Sequence, residues 1–390
     1  MFLIMLKINK NLLKIGIGTL GTYSFFKYQR DNITDNILVP VLNKIDPEKA
    51  HNLTIKLMKY NLIPEYKKYS SQFLENNLLN INFKNPVGLA AGFDKNAEAF
   101  KSLDNLGFGF IELGSVTIKP QSGNESPRIF RYDDNKIIIN NCGLNNKGVD
   151  VFLDNISAKN EEILGVNIAI NNDSKNIISE YHNLNSKLIK FADYFVINLS
   201  CPNTEGNLQN KKTIEEIFKS NINRKSPILY KLSPNLSKKM IYEISRLSLK
   251  YEVDGLIISN TKKCYLGGIS GKPLTDLSKN SLEKFYKYTN GKIPLIGVGG
   301  IMNSRDAYNR ILSGASLIQV YSGFIFEGPK IIYNINKDIE LFLIRDGFSN
   351  IKEAIGSNVY CHETIIDKIN NKLYDLYLYT YENIEDYVNS

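Results

Sequence analysis

Tyr194-Phe-Val-Ile-Asn-Leu-Ser-Cys-Pro-Asn-Thr204 is the stretch from which the fold is read. Phe195 to Leu199 is a short apolar run containing β-branched residues, the composition of a strand buried on both faces of a parallel sheet. Its end opens into Ser200, Cys201, Asn203 and Thr204, while Pro202 turns the chain out of the sheet. Polar and reactive side chains gathered at the carboxyl end of a buried strand are what an α/β active site needs. Taken alone, the segment reads equally well as a strand end with turn-forming residues. The other strand ends separate the two readings.

From Asn85 onward the same alternation repeats. Short apolar runs end in Gly, Ser, Asn or Lys turns and are separated by amphipathic stretches. The runs are 87–91, 110–113, 164–168, 195–199, 228–232, 255–258, 294–298 and 317–321. Eight strands alternating with helices is the count of a (β/α)8 TIM barrel, an α/β fold with its active site at the strands' carboxyl ends. A doubly wound open sheet is the structural alternative.

The strand ends suit one planar, phosphorylated, electron-accepting ligand. The first supplies Ala90-Ala91-Gly92, then Asp94 and Lys95; the second Gly114, Ser115 and Thr117. The third and fourth supply Asn167 and Asn198, the fifth Lys231, and the sixth Ser259-Asn260-Thr261. Gly297-Val-Gly-Gly300 after the seventh and Tyr321-Ser-Gly323 after the eighth can turn backbone N–H groups toward a phosphate, a recurrent barrel feature.

Bulk composition bounds the alternatives. The 390 residues are 43% hydrophobic and 23% charged, enough to bury a barrel-sized core with an appendage. The net charge of +8 is spread along the chain without a like-charge run, which favours a solvated lysine-rich exterior over a nucleic-acid surface. Four scattered cysteines (Cys142, Cys201, Cys264, Cys361) lack C-x-x-C spacing, so reduced thiols are expected instead of disulfides or zinc. Three histidines without metal-ligand spacing argue against histidine-based metal catalysis, and no metal is expected.

The amino-terminal region differs in character. Five basic residues precede the first acidic one, Asp31, and among them lies a largely apolar stretch from Leu12 to Phe26 that contains Lys14, Gly16, Gly18 and Gly21. It is marginal as a membrane span. Because the first alanine is Ala50, a small-residue cleavage site is missing, and residues 1–30 read as an uncleaved targeting and anchoring segment. Residues 31–75 read as a helical cap. Ile37, Leu38, Val41, Leu42 and Ile45 recur at helical spacing, and Asp46 before Pro47 is an N-cap with proline at the first helical position. Residues 76–358 form the barrel, and 359–390, rich in tyrosine, are a tail without an assigned role.

Asn85-Pro-Val-Gly-Leu-Ala-Ala-Gly-Phe-Asp-Lys95, Gly114-Ser-Val-Thr117, Pro120-Gln-Ser-Gly-Asn124, Pro127-Arg-Ile-Phe-Arg131, Ser270-Gly-Lys-Pro273 and Ile296-Gly-Val-Gly-Gly300 closely resemble dihydroorotate dehydrogenase, in its membrane-associated, quinone-reducing class 2 branch. The resemblance covers roughly residues 36 to 358. It implies an FMN-bound barrel at the mitochondrial inner membrane. Such an enzyme oxidises dihydroorotate to orotate for pyrimidine synthesis and passes the electrons to ubiquinone, with no obligatory protein partner. By resemblance Cys201 is the catalytic base, and Lys95, Asn140, Asn198, Asn203, Asn260 and Thr261 hold the substrate. Ala90, Ala91, Gly92, Ser115, Asn167, Asn198, Lys231, Ser259, Gly271, Gly300, Tyr321 and Ser322 match positions that hold FMN, Lys231 being the flavin lysine. His51, Arg131 and Tyr321 match the lining of the quinone route.

The sequence departs from the pattern at several points. Class 2 enzymes usually carry serine where this chain has Cys201, and cysteine there is the habit of the soluble class 1 branch. Leu144 replaces an aromatic residue beside the substrate, Ala169-Ile-Asn171 replaces Gly-Lys-Asn, and the stretch 262–268 is short. Three rival readings follow: a class 1 enzyme using fumarate or NAD, an RNA-acting flavin barrel such as a dihydrouridine synthase, and a catalytically dead scaffold. The segment before residue 66 opposes the first, the lack of a basic appendage the second, and intact Lys95, Asn198, Cys201 and Lys231 the third.

Overall fold

A computed structural model describes residues 31, 33–63, 65–159, 161–200, 210–220 and 225–359. Its centre is a closed barrel of eight parallel strands: β1 (Val87–Leu89), β2 (Phe110–Val116), β3 (Leu164–Ile168), β4 (Tyr194–Asn198), β5 (Ile228–Leu232), β6 (Gly255–Ile258), β7 (Leu295–Val298) and β8 (Leu317–Val320). Each strand pairs with its sequence neighbours, and β8 closes on β1 through Ile318↔Val87 and Val320↔Leu89. All eight apolar runs are strands, and closure rules out the open doubly wound sheet.

Two cores result. The outer one lies between the strands and helices such as Ile177–Leu188, Lys238–Lys250, Thr275–Thr289 and Ser304–Leu312. It buries Leu184, Ile244, Phe285 and Ile311 completely, each contributing roughly 1.5–3 kcal/mol. The helices start where the sequence offers caps: Asn176, Asn210, Ser237 and Asn303 each accept a hydrogen bond from the backbone N–H three residues on.

The inner core fills the barrel. Its base is Phe110, Tyr194, Leu229, Ile257, Ile296 and Leu317, plugged from below by the antiparallel hairpin Asn76–Leu78/Ile81–Phe83. Gly88 and Gly165 make room there, since a Cβ would lie 2.3 Å from the Phe110 ring and 2.1 Å from the Tyr194 ring, respectively. Side chains alternate in a strand. The inward positions therefore run Phe110–Glu112 in β2, Tyr194–Val196–Asn198 in β4, Leu229–Lys231 in β5 and Leu317–Gln319 in β8. Each run is apolar at the base and polar toward the carboxyl end.

Two features sit over that end. A four-stranded antiparallel sheet, ordered Lys262–Cys264, Gly267–Gly271, Ile137–Asn140, Ile129–Tyr132, is absent from the strand pattern legible in the sequence. The short stretch 262–268 is the hairpin of this sheet. The second feature is the helical cap: Thr34–Leu38, in π geometry, runs into α1 (Val39–Leu42), and α2 (Pro47–Lys59) follows. Asp46 caps α2 as its sequence implies, with Oδ1 accepting from Lys49 N at 3.0 Å. The cap is fastened to the barrel by Glu48–Arg128 at 2.8 Å, and within it Tyr66 Oη donates to Asp35 at 2.7 Å. The segment 1–30, Cys201, Asn203 and the tail from 360 lie outside the described residues. Among the described residues no helix is long and apolar enough to cross a membrane.

Candidate active site

A cavity of about 290 Å³ opens at the carboxyl ends of the strands and continues between the helical cap and the barrel. Every described residue that the resemblance assigns to substrate, FMN or the quinone route lines it: Lys95, Asn140, Asn198, Asn260 and Thr261; Ala90–Gly92, Ser115, Asn167, Lys231, Ser259, Gly271, Gly300, Tyr321 and Ser322; and His51 and Arg131.

Strand register builds its floor. Gly114 pairs with Asn167 across β2 and β3, and a bulge between Gly114 and Val116 re-aims Ser115. Ser115 Oγ donates to Asn167 Oδ1 at 2.5 Å and accepts from Asn198 Nδ2 at 3.2 Å. Asn198 pairs with Lys231 across β4 and β5. Asn260 Nδ2 reaches Ser200 Oγ at 3.1 Å and Asn198 Oδ1 at 3.4 Å. The result is a row of amides, a hydroxyl and one ammonium along the wall.

Sequence reasoning missed what lies beneath. Glu112 is fully buried, and its carboxylate accepts from Asn167 Nδ2 at 2.8 Å, Lys231 Nζ at 3.3 Å and Gln319 Nε2 at 2.5 Å. The available signal was a charged residue at an inward position of an otherwise apolar run, Phe110-Ile-Glu-Leu113.

At the rim, the loop after β1 is held by buried Asp94, whose carboxylate accepts from Glu98 N at 2.8 Å and Ala99 N at 2.7 Å. This positions Lys95, which donates to Asn145 Oδ1 at 2.6 Å; Asn145 is another residue the sequence reading passed over. Asn140, the last residue of the strand Ile137–Asn140 in the antiparallel sheet, donates through Nδ2 to the carbonyl of Gly268 on the neighbouring strand at 3.3 Å.

The glycine turns carry less information than their sequence suggested. Gly300 has φ +70°, and a Cβ there would lie 2.2 Å from Thr275 N, so backbone packing alone demands glycine. Gly92 has φ +103° with only the Tyr321 ring nearby, at 3.6 Å; conformation, not crowding, fixes it.

On the cap side, Arg131 donates to the carbonyls of Asn43 at 2.5 Å and Ile45 at 3.2 Å, and to Asp133 at 3.1 Å. It lines the cavity while bracing the turn between α1 and α2. His51 stacks edge-on against Phe93, at 5.3 Å between ring centres. Burial, and then the nearby Lys95 charge, pull His51 down to about 4, so it is a neutral imidazole near pH 7. Burial pushes Asp94 up to about 6.

These two groups act on stability with opposite signs. Below about 6.5 the unfolded chain takes up a proton that folded His51 refuses, so its contribution falls with pH until about 4. Folded Asp94 instead keeps a proton that the unfolded chain releases between about 6 and 3.8, which favours folding as pH falls. His51→Gln is therefore expected to gain stability relative to the parent as pH drops from 7 to 4, by at most about 3 kcal/mol. Urea unfolding at several pH values measures this, and a pH-independent difference would disprove the assignment.

The family model described as Dihydroorotate dehydrogenase matches residues 73–343. The chain belongs to the dihydroorotate dehydrogenase family. Among relatives, the mitochondrial dihydroorotate dehydrogenase (quinone) of Oryza sativa subsp. japonica is 38% identical over 369 residues, covering 82% of this chain and 79% of its own. The mitochondrial enzyme of Mus musculus is 35% identical over 372 residues, covering 87% and 94%. The dihydroorotate dehydrogenase (quinone) of Parvibaculum lavamentivorans is 37% identical over 338 residues, covering 82% and 97%. A crystal structure of DHODH from Eimeria tenella in complex with ferulenol superposes with a TM-score of 0.76 at 34% identity, covering 80% of this chain and 96% of that one.

Proposed function

We propose that this chain oxidises dihydroorotate to orotate in pyrimidine biosynthesis and delivers the electrons to ubiquinone, through FMN held at the barrel mouth. The observation that carries the reading is one continuous cavity, lined at one end by Lys95, Asn198, Asn260 and Lys231 and at the other by α1 and α2. A flavin enzyme with a lipid-soluble acceptor needs a polar chamber and an apolar entrance in direct continuity.

The residues present fit FMN by their chemistry. Ser115, Asn167, Asn198 and Lys231 offer donors and acceptors along one wall for a flat heteroaromatic ring, and the turns at Gly299–Gly300 and Tyr321–Ser322 offer backbone to its phosphate. When bound, FMN supplies a two-electron acceptor for a hydride from the substrate. Lys95 supplies a cation for the substrate carboxylate, and Asn140, Asn198, Asn203, Asn260 and Thr261 orient the ring amides. Cys201 takes the ring proton as general base; a thiol with an ordinary value near 8.5 needs only modest lowering by a cation to act near neutral pH.

His51, Arg131 and Tyr321 line the quinone route. Exposed Ile37, Val41, Leu53 and Leu62 give the cap an apolar outer face for a membrane surface. With the basic segment 1–30 as targeting anchor, and relatives in rice, Arabidopsis and mouse named mitochondrial, we place the protein at the mitochondrial inner membrane. In this reading residues 31–75 are the quinone-site cap and 76–358 the FMN barrel.

Anaerobic addition of dihydroorotate to purified protein is expected to bleach a flavin absorbance band, and a short-chain ubiquinone to restore it. Recovery with fumarate alone would transfer the protein to class 1 chemistry, and folded protein without flavin would overturn the reading.

A further inference from the structure

Glu112 takes no part in lining the cavity, yet it touches three residues that do. Lys231 from β5, Asn167 from β3 and Gln319 from β8 all donate to its two oxygens. The carboxylate is fully buried and Lys231 is 5% exposed, so little solvent screens the pair. A lysine side chain is flexible, and an ammonium at the end of four methylenes needs a fixed partner to hold one position. The opposite charge sits below the cavity floor, on the side away from a ligand. A molecule bound above Lys231 therefore experiences the ammonium partly cancelled by the carboxylate behind it.

We propose that Glu112 is a positioning residue that sets the reduction potential of the bound flavin, by fixing the Lys231 ammonium and attenuating its charge. This rests on the FMN reading above. Full lysine charge favours the reduced, more negative cofactor. That would ease electron uptake from dihydroorotate but retard delivery to quinone. Glu112 tempers the lysine and leaves both half-reactions downhill. Through Asn167 the same carboxylate also orients Ser115, so the charge and the hydrogen-bond pattern of the wall share one support.

The test is a dye-equilibration measurement of the flavin midpoint potential in the holoenzyme, for the parent, Glu112→Asp and Glu112→Gln. Glutamine keeps the size and most hydrogen bonds but removes the charge; aspartate keeps the charge and withdraws it by one methylene. The ratio of reduced to oxidised flavin at fixed potential is expected to rise at least tenfold in E112Q, a shift of about 30 mV for a two-electron couple. E112D should lie between E112Q and the parent. A merely structural residue would change melting temperature without that ordered shift. Potentials equal to the parent's in both variants, or below it in either, overturn the inference. If E112Q does not fold, E112D decides alone, an unshifted potential being the negative result. A parent protein without flavin would instead refute the cofactor reading, a separable outcome.

Discussion

Cys201→Ala is expected to lower kcat by about 10²–10⁴-fold while flavin content stays at the parental level, the loss typical of removing a general base. The stretch Asn198 to Asn203 offers two proton acceptors of the hydroxyl or thiol type, Ser200 and Cys201. Ser200 is committed elsewhere. It is 5% exposed, its Oγ donates to the Lys231 carbonyl at 3.1 Å and accepts from Asn260 Nδ2 at 3.1 Å, and its N–H donates to Asn198 Oδ1 at 3.2 Å. A hydroxyl so engaged is a strut, which is why we propose the neighbouring thiol as the proton acceptor. Stopped-flow reduction with dihydroorotate separates the roles: C201A should slow flavin bleaching and abolish the acidic limb of its pH profile, with substrate affinity nearly retained. Undiminished bleaching in that variant would remove Cys201 from the mechanism.

The second large effect concerns Lys231→Met. Removing one partner of a buried, hydrogen-bonded ion pair strands the other charge, at a cost of about 3–5 kcal/mol. Glu112, with no exposed surface, is the stranded group. K231M is expected to lose most of its flavin and to unfold at lower urea concentration, even when parent and variant are compared without cofactor. The double variant K231M/E112Q should recover most of that stability, because the leftover carboxylate rather than the missing ammonium causes the loss. A double variant no more stable than K231M would mean the pair contributes through packing alone.

Much of the fold is legible because it is periodic or local. The eight strands announce themselves as apolar runs, since a parallel strand covered on both faces must be apolar throughout; three observed strands coincide with those runs and the other five differ by one to three residues at an end. The start of α2 is fixed by Asp46 and Pro47 within one turn of chain. The cavity-lining residues follow from position, because strand ends in a barrel converge on one mouth. The antiparallel sheet was not legible. Its four strands are three to five residues long and half-buried, and 129–140 must find 262–271 across more than a hundred residues of chain.

By itself, then, the sequence determined the barrel, the capped second helix, the polar strand ends and the family to which the chain belongs. These depend on side-chain periodicity, on hydrogen bonds within one turn, and on motifs contiguous in the chain. Only the tertiary structure decided that Glu112 meets Asn167, Lys231 and Gln319, at sequence separations of 55, 119 and 207. It also decided that Arg131 braces the cap and that glycine at 300 answers to Thr275. Those contacts are set by strand register around a closed barrel, where a one-residue slip would turn each inward side chain outward, and no local stretch of sequence encodes that register.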